Sequence, residues 1–340
     1  MKHIRKIIIL GVISSFFLVS CLDRIDVPLR QETQKMVLEG LVTNDPKFQF
    51  LRISQTSSFG TSSSISPIKG AYVEVRSSTS AATIFRAVPD EIGLYKPNDV
   101  NWTGTAGTSY SIYIKLPDGR VYQSAPQKMP TVVAITSLDT AFVVGSSPGF
   151  ATTASFKDPA DTENYYRWTG SGFYIRKSTG VQVGFGGGVC CDKCWVFKEE
   201  KSINLLSDLL VNGSLVKNRP VYLSPFYALG RHLIEIQQFN ITKDAFLFWT
   251  RYKDQQQRTG TIFDPLPAAL TGNVVNIDNP EDVALGFFEV SSIARKRVFP
   301  NATTQAALAF SFNNRLYVPL GDCLSAFPFS VYATDNPPGW

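Results

Sequence analysis

The sequence predicts a mostly β protein, and three observations carry that reading. Strand and turn formers dominate, with 12% aromatic residues, 24 Gly and 20 Pro, while the charged residues that fill exposed helix faces reach only 18%. Short apolar runs of near-alternating pattern recur at about ten-residue spacing between residues 36 and 130. Turn signals built from Asn, Asp, Pro and Gly stand between them.

The first twenty residues are a leader. Lys2, Arg5 and Lys6 precede an apolar run from Ile7 to Val19, closed by Leu18-Val19-Ser20-Cys21. That run is too short to span a bilayer comfortably, and a small residue before Cys is the pattern of a bacterial lipoprotein signal. Residues 1–20 are therefore expected to be removed and the Cys21 thiol to carry lipid. Three of the 33 basic residues lie in the leader, so the mature chain has 30 basic against 28 acidic side chains, and this balance gives no reason to expect a nucleic-acid partner. No later apolar run approaches a membrane span, so the lipid is expected to be the only anchor.

Residues 21–35 are polar, contain Pro28 and show no periodic pattern, and are read as a tether. The alternating runs 36–42 and 48–53 flank the turn Asn44-Asp45-Pro46, and a Ser-rich loop occupies 56–66. Runs 71–76, 83–87, 109–115 and 120–123 follow, the last two joined by Pro117-Asp118-Gly119, which supplies the positive φ of a tight hairpin. Short strands in this rhythm predict an immunoglobulin- or transthyretin-like β-sandwich over 36–130. The Pro-containing stretch 125–130 is the expected boundary. Beyond it, 131–340 reads as a second β-rich domain with one or two helices. The clear one is 241–252, with Thr242 as N-cap, Asp244 in the first turn, Ala245, Phe248, Trp249 and Tyr252 on one face, and Gly260 to end it. That aromatic stripe is read as core packing. A shorter helix is expected over 203–210, capped by Ser202 and closed by Asn212-Gly213.

The densest cluster of reactive side chains is Cys190-Cys191-Asp192-Lys193-Cys194-Trp195, preceded by a glycine run and completed far downstream by Cys323. Cysteines of exported proteins usually pair, and four cysteines besides Cys21 allow three pairings. A bridge between the neighbours Cys190 and Cys191 closes a small ring and is the least favoured. One bridge from Cys190 or Cys191 to Cys194 and a second from the cluster to Cys323 are expected instead, the long one worth on the order of 4–5 kcal/mol in the loop-entropy model. A metal site of Cys190, Cys191, Cys194 with Cys323 or His232 is the alternative, though it lacks a second close Cys pair. A redox pair Cys191/Cys194 would need a helix start that the β-favouring residues after Cys194 do not supply.

Catalytic residues are poorly supplied. His232, the only histidine of the mature chain, sits in an alternating strand pattern, and there is no nucleophile elbow and no P-loop ending to the glycine run. No cofactor or metal is expected and no catalysis; a surface hydrolase using two carboxylates and a metal-binding lipoprotein built on the cysteine cluster are the alternatives.

Several segments share an order along the chain: Val37-Leu38-Glu39-Gly40, Gly70-Ala71-Tyr72-Val73, Gly93-Leu94-Tyr95, Asp158-Pro159 with Asn164-Tyr165-Tyr166, the Cys-Cys-x-x-Cys-Trp cluster, Phe263-Asp264-Pro265 and Leu285-Gly286-Phe287-Phe288. In these the chain resembles the lipoproteins of Gram-negative bacteria grouped as domain of unknown function 4249, departing from their pattern in having Cys323 alone near the C-terminus. The resemblance implies an outer-membrane lipoprotein, on the periplasmic or the exterior face, found beside TonB-dependent transporters, and it carries no catalytic residues. The function expected is binding or docking on such a transporter, with Phe185, Trp195 and Trp168 as the aromatic contacts to test and core packing as the equal alternative for them.

Overall fold

The computed structural model describes residues 34–57, 66–184, 187–200, 202–226, 231–257, 270–301, 304–314, 318–333 and 336–337. The leader, Cys21, all but the last residues of the tether, most of the Ser-rich stretch and Gly260 lie outside the described residues. The protein is mostly β.

Residues 36–130 form β1 (Met36–Val42), β2 (Phe50–Gln55), β3 (Ser66–Pro67), β4 (Tyr72–Ser77), β5 (Thr83–Ala87), β6 (Leu94–Pro97), β7 (Ser109–Lys115), β8 (Val121–Ser124) and β9 (Gln127–Lys128). Alternation sends Leu38, Ile53, Val73, Val75, Ile112 and Ile114 into one core, while Glu39, Arg52 and Lys115 face water. The Asp118-Gly119 hairpin forms as expected, with Gly119 at φ +94°.

The chain then builds β10 (Ile135–Val143), β11 (Gly149–Lys157), β12 (Tyr165–Lys177), β13 (Val181–Gln182), β14 (Val189–Cys190), β15 (Lys193–Glu199), β16 (Asn204–Ser207), β17 (Leu215–Pro225), β18 (His232–Ile241) and the helix α1 (Lys243–Gln256). It returns to the first sheet with β19 (Thr271–Asn276) and β20 (Val283–Val290), then continues through β21 (Ser292–Val298), α2 (Gln305–Asn314), α3 (Cys323–Ala326) and β22 (Val331–Tyr332).

The first sheet closes on itself in the order β1-β20-β19-β8-β7-β4-β5-β6-β2, a nine-stranded barrel with β3 and β9 as short additions. Closure depends on β1, which pairs antiparallel with β2 and parallel with β20, leaving no open edge. An immunoglobulin- or transthyretin-like sandwich of residues 36–130 is therefore not what forms. The alternating pattern is common to sandwich and barrel, and the two strands that decide between them come from 271–290, beyond the boundary expected near Pro130. Gly286 is required at the seam: its φ is +86°, and a Cβ there would overlap the Leu38 carbonyl oxygen.

Face-to-face packing of two sheets occurs instead in the second region. The three-stranded sheet β10-β11-β17 covers one face of the six-stranded sheet β21-β18-β12-β15-β22, with β16 paired to the start of β12. Phe150, Ala154, Phe156, Val221 and Tyr222 from the first meet Tyr166, Trp168, Ile234 and Ile236 from the second. Gly170 lets the sheets approach, since a Cβ there would overlap the Tyr222 ring. His232 is an ordinary strand residue, stacked among Phe150, Tyr174 and Phe226.

Helix α1 starts as read, with Thr242 Oγ1 accepting from the Ala245 N–H, and its aromatic face packs on Phe239, Phe287 and Ile293. The helix expected over 203–210 is instead the strand β16 and a 3-10 turn, Asp208–Leu210, capped by Ser207 and not Ser202. The free edge of β12 accounts for this, because it offers Asn204–Ser207 a ladder that helix propensity does not match. Helix α2 has no counterpart in the sequence reading.

Barrel and sandwich meet at a third core that includes Leu41, Phe239, Ile241, Phe248, Phe287 and Ile293. At its centre Glu289, 3% exposed, accepts from Arg167 Nη2 at 2.9 Å, Trp249 Nε1 at 2.5 Å and Ser291 Oγ at 2.9 Å. Arg167 lies between the rings of Phe239 at 4.2 Å and Trp249 at 4.8 Å. Removing one member strands a buried charge. Glu289→Ala is expected to destabilise the protein by about 3–5 kcal/mol, measured as a lower urea midpoint.

Candidate functional site

The strand path places the cysteine cluster at one end of the sandwich. β12 runs from the barrel junction at Tyr165 to Lys177, β15 starts there at Lys193, and the β13/β14 hairpin occupies the sequence between them. At about 3.3 Å per residue, β12 alone separates this end from the junction by roughly 40 Å. The start of β1 is at the opposite end of the barrel strands, because the far end of β1 is the one bound to the junction: Ser291 N–H donates to Val42 O at 3.0 Å, and the Asn44 carboxamide pairs with both backbone groups of Ile293.

Cys194 pairs with Cys323, both fully buried, closing the long loop from the cluster to the C-terminal segment. Cys190 and Cys191 then pair with each other, so the arrangement expected within the cluster, with Cys194 bridged to either neighbour, does not form. The reason lies in the register: Cys194 is opposite Arg176 on β12 with its sulfur directed inward to Cys323, whereas Cys190 belongs to the separate β13/β14 ladder.

Two further segments complete this end. Gly180 pairs with Gly321, Thr179 N–H donates to Pro319 O at 2.9 Å, and Cys323 N–H donates to Cys191 O at 2.9 Å. The result is a cross-linked surface carrying exposed Val181, Val183 and Val189 from the hairpin and exposed Leu320 and Phe329 from the C-terminal segment. Basic Lys177 and Lys193 lie beside it.

The aromatic contacts named from sequence do not lie on that surface. Trp168 is 0% exposed and Trp195 1%, because alternation in β12 and β15 turns both rings inward; the Trp168 indole donates to Gln238 Oε1 at 3.0 Å and stacks on Tyr166. Phe185 and Cys21 lie outside the described residues. The sequence reading passed over Leu209 and Leu210, 83% and 93% exposed, on the 3-10 turn. Their signal was the Ser207-Asp208 cap, hidden inside a stretch read as helix.

Two carboxylates hold that turn from below. Asp158 accepts from Tyr166 Oη and from Gly213 N–H at 2.9 Å, and Asp208 accepts from Asn164 N–H at 2.7 Å. Burial, then the Asp158 hydrogen bond, pushes the Tyr166 phenol well above the ordinary tyrosine range. Both acids are buried, and their oxygens are spent on holding this turn. Among the described residues no three His, Cys, Asp or Glu side chains converge as a metal site, and no helix is long and apolar enough to cross a membrane. A shallow pocket on the barrel wall is lined by Val37, Ile53, Pro67 and Ile92, but its charges are the mutually paired Glu39 and Arg52.

What fold and site define is a barrel joined to a sandwich, with a cross-linked apolar end. The chain belongs to the family described as domain of unknown function (DUF4249), whose model matches residues 23–297. No curated protein matches it.

A charged network around buried Glu235 of β18 yields a pH dependence. Burial pushes the Glu235 carboxyl up, but hydrogen bonds from Arg297 at 2.6 Å and Gln237, with Arg295 nearby, outweigh it and hold the group below its ordinary value of 4.5. A carboxyl depressed on folding adds stability above its unfolded pKa, and that stability is lost as pH falls through the folded value. Chemical denaturation at stepped pH is expected to show stability falling below pH 4.5, and Glu235→Gln to lower stability at pH 7 while flattening that acid limb.

Proposed function

We propose that this chain is a lipid-anchored accessory protein of a bacterial outer membrane that docks on a TonB-dependent transporter and catalyses no reaction. The observation that carries the reading is the cross-linked apolar end, where exposed Val181, Val189 and Leu320 stand beside the buried Cys194–Cys323 disulfide. A surface stiffened by a buried disulfide loses little conformational freedom on binding, and this favours recognition. The lipoprotein pattern at Cys21 supports the anchor, and the resemblance of residues 23–297 to their family supports the transporter as partner.

The contacts move accordingly from Trp168 and Trp195 to Val181, Val189 and Leu320. Affinity purification of the tagged protein from gently solubilised membranes is expected to recover a transporter, and Leu320→Asp with Val189→Asp to reduce that recovery at least tenfold. Cys21→Ser is expected to abolish incorporation of labelled fatty acid and release the protein from the membrane fraction. Recovery of the lipoprotein alone, under conditions that keep known complexes intact, would count against docking.

A further inference from the structure

The two cysteine pairs differ in a way that assigns them different chemistry. Cys194 and Cys323 are both 0% exposed, with the Arg176 guanidinium packed over Phe327 beside them. Cys190 and Cys191 are half-buried, within reach of solvent. Cys191 also stands at φ +65°, a left-handed conformation that side chains other than glycine and asparagine rarely adopt.

We infer that the Cys190–Cys191 disulfide is a thiol–disulfide exchange site for an external dithiol, and that its oxidation state controls how the β13/β14 hairpin is fastened to the C-terminal segment. A thiolate of the dithiol attacks one sulfur of the pair and displaces the other as a thiolate, giving a mixed disulfide. The second thiol of the dithiol, once deprotonated, then displaces the attacked cysteine. Two electrons and two protons pass to the pair, leaving Cys190 and Cys191 as thiols and the dithiol as its disulfide. Exposed disulfides, and those whose backbone is held in an unfavourable conformation, are the labile ones, whereas buried ones resist exchange because the attacking thiolate has no line of approach.

The consequence for structure is local. While the two sulfurs are joined, Cys191 is kept in its left-handed conformation, and that conformation aims its carbonyl at the Cys323 N–H, 2.9 Å away. The next carbonyl, that of Asp192, accepts from Ser178 N–H at 2.8 Å. That second bond closes the base of the hairpin, while the Cys191–Cys323 bond and the pairing of Gly180 with Gly321 tie it to the segment around Leu320. Reduction frees Cys191 to leave the left-handed region, and the bond to Cys323 goes with it. Cys194–Cys323 holds the C-terminal segment on β15 throughout, so the change is confined to the apolar end.

The test uses the full mature protein, purified without reductant and titrated with dithiothreitol, with alkylation, peptide mapping and hydrogen exchange at each step. Alkylation of Cys190 and Cys191 is expected at a dithiothreitol concentration at least about tenfold below that needed for Cys194 and Cys323. Over the same range, exchange is expected to rise at 178–182, 189–192 and 321–323 while β12 and β18 stay protected. The double variant Cys190→Ser/Cys191→Ser is expected to show the raised exchange without reductant and no labelling at low dithiothreitol. Four thiols appearing together, none appearing before global unfolding, a peptide linking Cys190 or Cys191 to Cys194 or Cys323, or selective reduction with unchanged exchange would each overturn the inference.

Discussion

A carboxylate and a guanidinium withdrawn from water each cost several kcal/mol unless they find one another and their remaining hydrogen-bonding groups are met. The junction of this protein is organised around Glu289 and Arg167: three donors, Arg167 among them, meet the carboxylate, while the guanidinium lies between two rings with its Nε left without a hydrogen bond. The partners come from three elements that the sequence keeps far apart: β20 closes the barrel, β12 is a central strand of the sandwich, and α1 supplies Trp249 to both. An apolar junction could slide by a residue with little change in buried area. A buried ion pair flanked by two rings has only one register in which its charges are satisfied, so it fixes barrel, helix and sandwich against one another, and the apolar core around it supplies most of the area.

The surface at the far end follows from that rigidity. Because β12 is fixed at Tyr165 and Arg167, its other terminus at Lys177 is held in place, and with it the strand that carries Cys194. The long disulfide then brings the C-terminal segment, whose strand β22 is two residues long, onto the edge of β15. Exposed apolar side chains there are presented on backbone that is tied at several points. The turn bearing Leu209 and Leu210 is built on the same plan, with buried Asp158 and Asp208 beneath exposed leucines.

Local features were legible in the sequence because their causes are local. Asp118-Gly119 makes its hairpin through one positive φ, Thr242 caps its helix through one hydroxyl, and the strands of 36–130 announce themselves by alternation. Barrel closure was not legible, since a strand reads the same whether its partner follows at once or arrives from residue 283. Trp168 and Trp195 were misplaced for a related reason: aromatic character marks a residue as important to some surface, and only the parity of its strand says whether that surface is inside. The cysteine pairing turned on which ladder each residue joined. Cys190 and Cys194 are four residues apart in sequence and belong to different sheets.

The parallel seam between β1 and β20 also sets an order of events in biosynthesis. A chain emerging from its N-terminus completes β1 to β8 early, yet the outer edges of β1 and β8 stay open until β19 and β20 appear, and contacts such as Asn44 with Ile293 bridge 249 residues. Contacts so distant make for slow folding, and unpaired strand edges are adhesive while they wait. The barrel is therefore the first part of the molecule to be made and among the last to be finished, which makes the nascent chain a client for any factor that shields open strands until residue 290 has been delivered.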